Sequence, residues 1–426
     1  MTTMPTPATP ALVARTSRVA TPSTALLDLL PAGTDPRELC SWVRRGEGMV
    51  GWGRALTHEV RGPDRFAEAA AWWRRVCQTA VVRDDVELPG TGPLLFAAMT
   101  YAASSDAACT LIVPEVVVGR RGADAWLTTI TTDGSLPYAA APGPTTPPRA
   151  PGEVGFADGA KSAADWELAV GTAVERITRG DLDKVVLARS LIARAPAPID
   201  PRWLLHRLAD RYDNTWVFAV GGLIGATPEM LVRRDRGLAT SRVLAGTIRR
   251  TGDDAHDLAL AASLARSSKD LEEHEYAVRS VADALGAHCS SMYVPEAPFV
   301  LHLANVMHLA TDVAGVVEDG SSALDLAASL HPSAAVCGTP TVLADALIAE
   351  LEGMDRGRYA GPVGWMDRSG DGEWGIALRC GEIAVADPCQ VTLYAGCGIV
   401  SGSNPEAEVA ESDAKLVPMR DALTGG

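Results

Sequence analysis

The residues closest to the C-terminus offer the clearest chemistry. Glu408 and Glu411 are three apart, and Lys415 follows Glu411 by four. On a helix this spacing puts all three on one face. Two carboxylates so placed suit a hard divalent cation such as Mg²⁺, which takes oxygen ligands. Taken alone, they also describe a solvated face with an ion pair. A second acidic cluster, Glu272, Glu273 and Glu275, follows Lys269; a solvated face is the usual explanation for such a run. Lys184 opens a β-branched pair, where an edge lysine that blocks strand addition is the plain alternative to a functional one. Glu229 follows Thr-Pro and precedes an apolar run. Partial burial there raises a carboxyl pKa and lets it hold a proton near neutrality; a turn carboxylate is the alternative. His302 and His308 fall in an apolar stretch, where a hydrogen-bonded core role is common. Arg379 ends an alternating stretch and can fork onto a carboxylate.

Lysine usage sharpens this reading. Of 38 basic residues only Lys161, Lys184, Lys269 and Lys415 are lysine. A chain that uses arginine almost everywhere keeps lysine where a compact or deprotonatable ammonium is needed.

The elements that must position these groups follow from periodicity. Residues 391–400 alternate as a strand, with Gly396 and Gly398 bringing bare backbone close to a neighbour. Ser403 to Glu406 has capping-box spacing and Pro405 suits a first turn, which predicts a helix from near Asn404. A helix around 166–177 stops at Gly180, and a strand starts at Lys184. A helix over 201–211 and a strand over 215–221 come next. Residues 243–250 read as a strand entering a turn, with Gly246 and Thr247 offering backbone and hydroxyl donors. One long helix is predicted over 254–285, and a hairpin turning at 368–372 leads to Arg379. The N-terminal part, with strands near 94–99, 110–114 and 126–130 and a helix over 66–76, shows no catalytic constellation. Its role is to complete a sheet and cover a core. Residues 136–152 form a Pro-rich loop or linker.

Composition bounds the partners. The chain has 426 residues, 47% hydrophobic, and a net charge of −15 without a basic block. That argues against nucleic acid and anionic membranes. No apolar run reaches membrane-spanning length. The eight cysteines lack paired spacing, as in reduced thiols of a cytoplasmic protein. Residues 1–22, rich in Thr, Pro and Ala, read as a disordered tail.

Together the segments DKVVLAR, GATPEMLVRR, VLAGTIRR, KDLEEHEY, MHLATDVAG, HPSAAVCGTP, AGPVGWMD, DGEWGIALRC and AGCGIVSGSNPEAEVAESDAKL resemble the chorismate-utilising enzymes, and among them the isochorismate synthases. They run in family order over about 160–420. The resemblance implies one α+β domain over 23–426, with a variable part 23–152 and a motif-bearing part 153–426. Two large antiparallel sheets would pack together with helices outside, and the active site would lie in a cleft between layers. It implies Mg²⁺-dependent conversion of chorismate to isochorismate: water adds at C2, the C4 hydroxyl departs and the double bonds shift. Lys184 matches the base and Glu229 the acid. Glu273 and Glu411 match the Mg²⁺ ligands, with Glu408 acting through a water. Gly246, Thr247, Arg379, Gly396 and Lys415 match substrate-binding positions, and His308 lies close to the ring. The product would feed menaquinone or siderophore biosynthesis, and the protein would act as a monomer. Ammonia-using relatives usually carry glutamine where Lys184 stands. A relative with an attacking lysine differs at Ala245, and no Leu-Leu-Glu-Ser tryptophan signature occurs near the N-terminus. No glutaminase subunit is therefore expected. Salicylate synthase, which goes on to eliminate pyruvate, is the nearest alternative; an inactive regulatory homologue is the alternative of another class.

Overall fold

Strands that are apolar at every position need cover on both faces. Trp216–Val220 is such a strand. Phe218 and Val220 enter a core shared with a second sheet, while Val217 and Ala219 enter a different core on the other side. The whole molecule, a computed structural model that describes residues 11–136, 145–302 and 306–425, is built on this principle. The side chains of Lys269 and Glu273 lie outside the described residues, and the Pro-rich loop does so in part.

The larger sheet has 13 strands. From one edge it runs through Gly155–Asp158, Lys184–Arg194, Gln390–Ile399, Cys380–Ile383, Leu223–Thr227 and Trp216–Val220, then on through N-terminal strands. The other sheet has 10 strands and includes Val306–Val317, Leu238–Arg249, Met230–Asp235, Gly372–Ile376, Pro362–Asp367 and Leu94–Ala98. Among the described residues pairing is antiparallel apart from the parallel pair Val13–Arg18 and Val81–Asp84. The sheets face each other across a core holding Trp42 and Phe218 from one and Phe96, Trp365 and Trp374 from the other. Trp42 Nε1 bridges them by donating to Glu373 Oε2 at 2.7 Å. Helices Pro201–Arg211 and Pro405–Thr424 cover the outer face of the larger sheet through Leu204, Leu208, Leu416, Met419 and Leu423. Helix Ser268–Gly286 packs on the strands Leu238–Arg249 and Val306–Val317 of the smaller sheet. The α+β architecture with two packed sheets is the expected one. Among the described residues no helix is long and apolar enough to cross a membrane.

Four local expectations change. The N-terminal tail is ordered from within: Val13–Arg18 is a strand, because Val13 and Ala14 are buried and Thr16 Oγ1 bonds Thr128 Oγ1 at 2.7 Å. Residues 1–10 of that tail lie outside the described residues. The single helix over 254–285 is two, Asp254–Leu264 and Ser268–Gly286. Ser267 divides them, since its side chain accepts from Asp270 N and caps the second. The C-terminal helix is capped by Asn404, which accepts from Ala407 N at 2.9 Å, and Ser403 turns back to accept from Val400 N. Arg379 does not end a strand. It lies between Gly372–Ile376 and Cys380–Ile383 with φ of 48°, a left-handed conformation uncommon for a side-chain-bearing residue.

Candidate active site

Two crossings of the chain between the sheets create the site. Thr227 ends a strand of the larger sheet and Met230 begins one of the smaller, so Pro228-Glu229 is the link. The return link runs from Ile376 to Cys380 and contains Arg379. The links are stitched together: Ile376 N donates to Glu229 O at 3.1 Å, and Ala226 N donates to Arg379 O at 3.2 Å. Both side chains line a cavity of about 320 Å³. Its other walls include Lys184 and Gly396 from the larger sheet, Gly246, Thr247 and His308 from the smaller, and Glu411 and Lys415 from the C-terminal helix. Both sheets thus contribute walls. Among the sequence-selected residues Glu408 is not on the wall, and the side chain of Glu273, on helix Ser268–Gly286, lies outside the described residues.

Local structure aims each group. Lys184 is the first residue of its strand. A Cβ on Gly398, opposite Val186, would lie 3.1 Å from Lys184 Cε, so this glycine gives the lysine its room. Gly396 is required by close packing: a Cβ there would meet Leu187 O at 2.9 Å and Tyr359 Oη at 3.2 Å. Its carbonyl accepts from Lys415 Nζ at 2.9 Å. Gly246, at φ 73°, sits where the pairing register shifts between Ala245 and Thr247. Such a bulge re-aims the following side chain, and Thr247 Oγ1 lies 2.9 Å from His308 Nδ1.

The electrostatics differ from group to group. Burial pushes the Glu229 carboxyl up to about 7, against the opposing pull of Arg379, Lys184 and Lys415. Glu229 can therefore hold a proton at neutral pH. Burial also pushes His308 down to about 4, helped by Arg379 and Lys415, so its ring is neutral. Burial works to raise Glu411, but the cations Lys415, Arg249 and Arg379 outweigh it and hold its carboxyl below the usual value. Glu411 accepts from Lys415 at 2.7 Å. Glu408 is raised, first by burial and also by repulsion from Glu411.

Beside this cavity lies a set of side chains that could hold a metal. Ligand atoms of Glu408, Glu411 and Cys397 lie within 4.8 Å of one another. Burial pushes the Cys397 thiol up to about 12, which leaves the two carboxylates as the hard donors. Sequence reading missed Arg249, Asp270 and Tyr359 on the walls, and singled out Gly398 only for a close backbone approach. Arg249 and Asp270 lie within segments it did quote; no spacing signal marks Tyr359 as facing a cavity. A larger cavity, about 590 Å³, is walled by Trp42, Trp126, Trp216 and Trp365 with Arg44, Arg120 and Arg242. It shares no wall residue with the first and holds neither lysine nor Glu229.

The model of the chorismate binding enzyme family matches residues 8–135 and 145–424. The chain belongs to the chorismate-binding enzymes. This family member is 41% identical over 271 residues to the isochorismate synthase DhbC of Bacillus subtilis, covering 61% of this chain and 67% of the relative. It is 36% identical over 348 residues to the putative isochorismate synthase MenF of Mycobacterium tuberculosis, covering 78% and 87%. The crystal structure of a putative 2,3-dihydroxybenzoate-specific isochorismate synthase, DhbC from Bacillus anthracis, superposes with a TM-score of 0.76 at 31% identity, covering 94% of this chorismate-binding enzyme and 99% of that chain.

Proposed function

We propose that this chorismate-binding enzyme is an isochorismate synthase that uses Mg²⁺. The observation that carries the reading is the pairing of a lysine, Lys184, with a carboxyl held near pKa 7, Glu229, on the walls of one cavity. Moving a hydroxyl between ring positions needs a base for the incoming water and an acid for the departing hydroxyl. Lys184, once neutral, takes the proton from water as its oxygen bonds to C2. Glu229 gives its proton to the C4 hydroxyl, which leaves as water while the ring double bonds shift. Arg379 and Lys415 supply positive charge for the substrate's carboxylates in a protein whose net charge is −15. Neutral His308, tied to Thr247, offers a polar edge to the ring. Glu411 and Glu408, with Glu273 from the facing helix, would hold the metal, which neutralises a substrate carboxylate when bound.

The relatives' names support this reading over release of salicylate, and the lysine at 184 supports water over ammonia as nucleophile. The test is purified protein with chorismate and Mg²⁺, products separated. Isochorismate is expected, with loss of activity in Lys184→Ala and Glu229→Gln. Salicylate with pyruvate, or anthranilate when ammonia is supplied, would replace the proposal; unchanged turnover in Lys184→Ala would remove the lysine as base, and chorismate binding without any product would revive a role as a binding homologue. The protein is expected to act without a glutaminase subunit and in the cytoplasm.

A further inference from the structure

The strand that carries Lys184 has a gap along one edge. Gly338–Thr339 pairs with Lys184 and Val185, and Gly155–Asp158 pairs with Leu191–Arg194. Among the described residues no strand pairs with this edge between them. Backbone bonds reach in from both ends, Val186 N donating to Cys337 O at 2.7 Å and Gly159 N to Ser190 O at 3.1 Å; the buried backbone groups left over need partners, and side chains supply them. Glu352 Oε1 accepts from Ala188 N at 2.7 Å, Arg356 Nη2 donates to Val186 O at 2.8 Å, and Trp166 Nε1 donates to Ala188 O at 3.0 Å. Glu352 and Arg356 are themselves joined, Arg356 Nε to Glu352 Oε2 at 2.9 Å, and are only 2% and 3% exposed. The same guanidinium donates from Nη1 to Val336 O at 2.8 Å. Val336 and Lys184 both line the cavity, as does Arg356.

We propose that the Glu352–Arg356 pair stands in for a missing strand and acts as a positioning device for Lys184. One planar fork fixes the strand of the base and the 335–336 wall to each other, and the carboxylate keeps that fork aligned. A lysine side chain is flexible, so the placement of its ammonium depends on the backbone that launches it. Val186, whose carbonyl is held by Arg356 and whose N–H is held by Cys337 O, is two residues beyond Lys184 on the same edge. The inference rests on the isochorismate synthase reading for its catalytic consequence, and on the hydrogen bonds alone for the anchoring.

Three variants separate positioning from plain stability. Arg356→Lys keeps the charge but cannot serve Val186, Val336 and Glu352 together. Glu352→Gln keeps an acceptor for Ala188 N and loses the charge. Leu204→Ala truncates the outer core and lowers stability away from the cavity. Each is measured below its unfolding temperature for kcat, for KM with chorismate, and for deuterium exchange of the 184–190 segment. Arg356→Lys is expected to lose about 10²-fold in kcat, the scale set by misplacing a reacting group, while KM moves by less than about threefold. Exchange at 184–190 should rise, Glu352→Gln should show the smaller version of both effects, and Leu204→Ala should keep kcat. Wild-type kcat and exchange in Arg356→Lys would overturn the proposal; so would kcat losses that follow melting temperature equally in all three. If Arg356→Lys does not fold, Glu352→Gln decides by the same criteria. If the wild type makes no isochorismate, the functional reading fails, while the exchange data still judge the anchoring.

Discussion

Glu229 shows how an ordinary residue type acquires an unusual state through placement. Its folded pKa of about 7 lies above the ordinary 4.5, so the native state resists ionising it. Below about pH 4.5 both states are protonated and the group costs nothing. As pH rises from there to about 7, the unfolded chain loses this proton first, and the native state loses up to about 3 kcal/mol. Glu229→Gln removes that cost. Its stability advantage over the parent in urea unfolding should be larger at pH 8 than at pH 5 by about 2 kcal/mol, while its turnover falls at least about 10²-fold. Gly398 gives a second residue-scale test. Alanine there would press on Lys184 Cε, so, with Lys184 in its proposed role, Gly398→Ala should lose about tenfold or more in kcat through displacement of that side chain. Its melting temperature should stay near the parent's. Unchanged kcat would mean that the lysine accommodates the methyl without cost.

At the scale of elements, the C-terminal helix owes its first turn to Asn404. That cap satisfies a backbone donor of the turn that carries Glu406 and Glu408. Asn404→Ala should cost about 1 kcal/mol in thermal or urea unfolding. Fraying there disturbs Glu408 more than Lys415, which lies about two turns further on. The Mg²⁺ concentration giving half-maximal activity should therefore rise while KM for chorismate changes little. A change confined to KM would show that the first turn serves the substrate instead.

At the scale of the whole molecule, the cavity gathers its walls from both sheets and two helices, so a bound ligand ties distant segments together. A ligand that binds only the folded state stabilises it in proportion to the logarithm of its concentration, by about 2.7 kcal/mol at a hundred times its Kd. Mg²⁺ should accordingly raise the melting temperature of the parent, and Glu411→Gln, which also gives up the ion pair with Lys415, should abolish that rise whatever its metal-free value. A rise that persists in Glu411→Gln and in Glu408→Gln would place the ion elsewhere.

The sequence by itself determined what local periodicity and residue chemistry encode. The strand beginning at Lys184 and the helical face shared by Glu408, Glu411 and Lys415 were legible, because each depends on neighbours a few residues away; the raised proton affinity of Glu229 was one of two open readings, because it depends on burial by distant segments. The order of its motifs was enough to indicate the family. The break at Ser267 and the shift of the cap to Asn404 were not, since competing polar side chains near a helix end are decided by backbone geometry that spacing does not reveal. Tertiary structure alone decided the rest. Only sheet pairing lays the two inter-sheet links side by side, which brings Glu229 and Arg379 onto one wall. Only the register of Lys184–Arg194 against Gln390–Ile399 turns Gly398 into the space for a lysine. Only packing seats Glu352 and Arg356 where a strand is missing. Burial is written along the chain, but which distant groups share a buried place follows from how the strands pair.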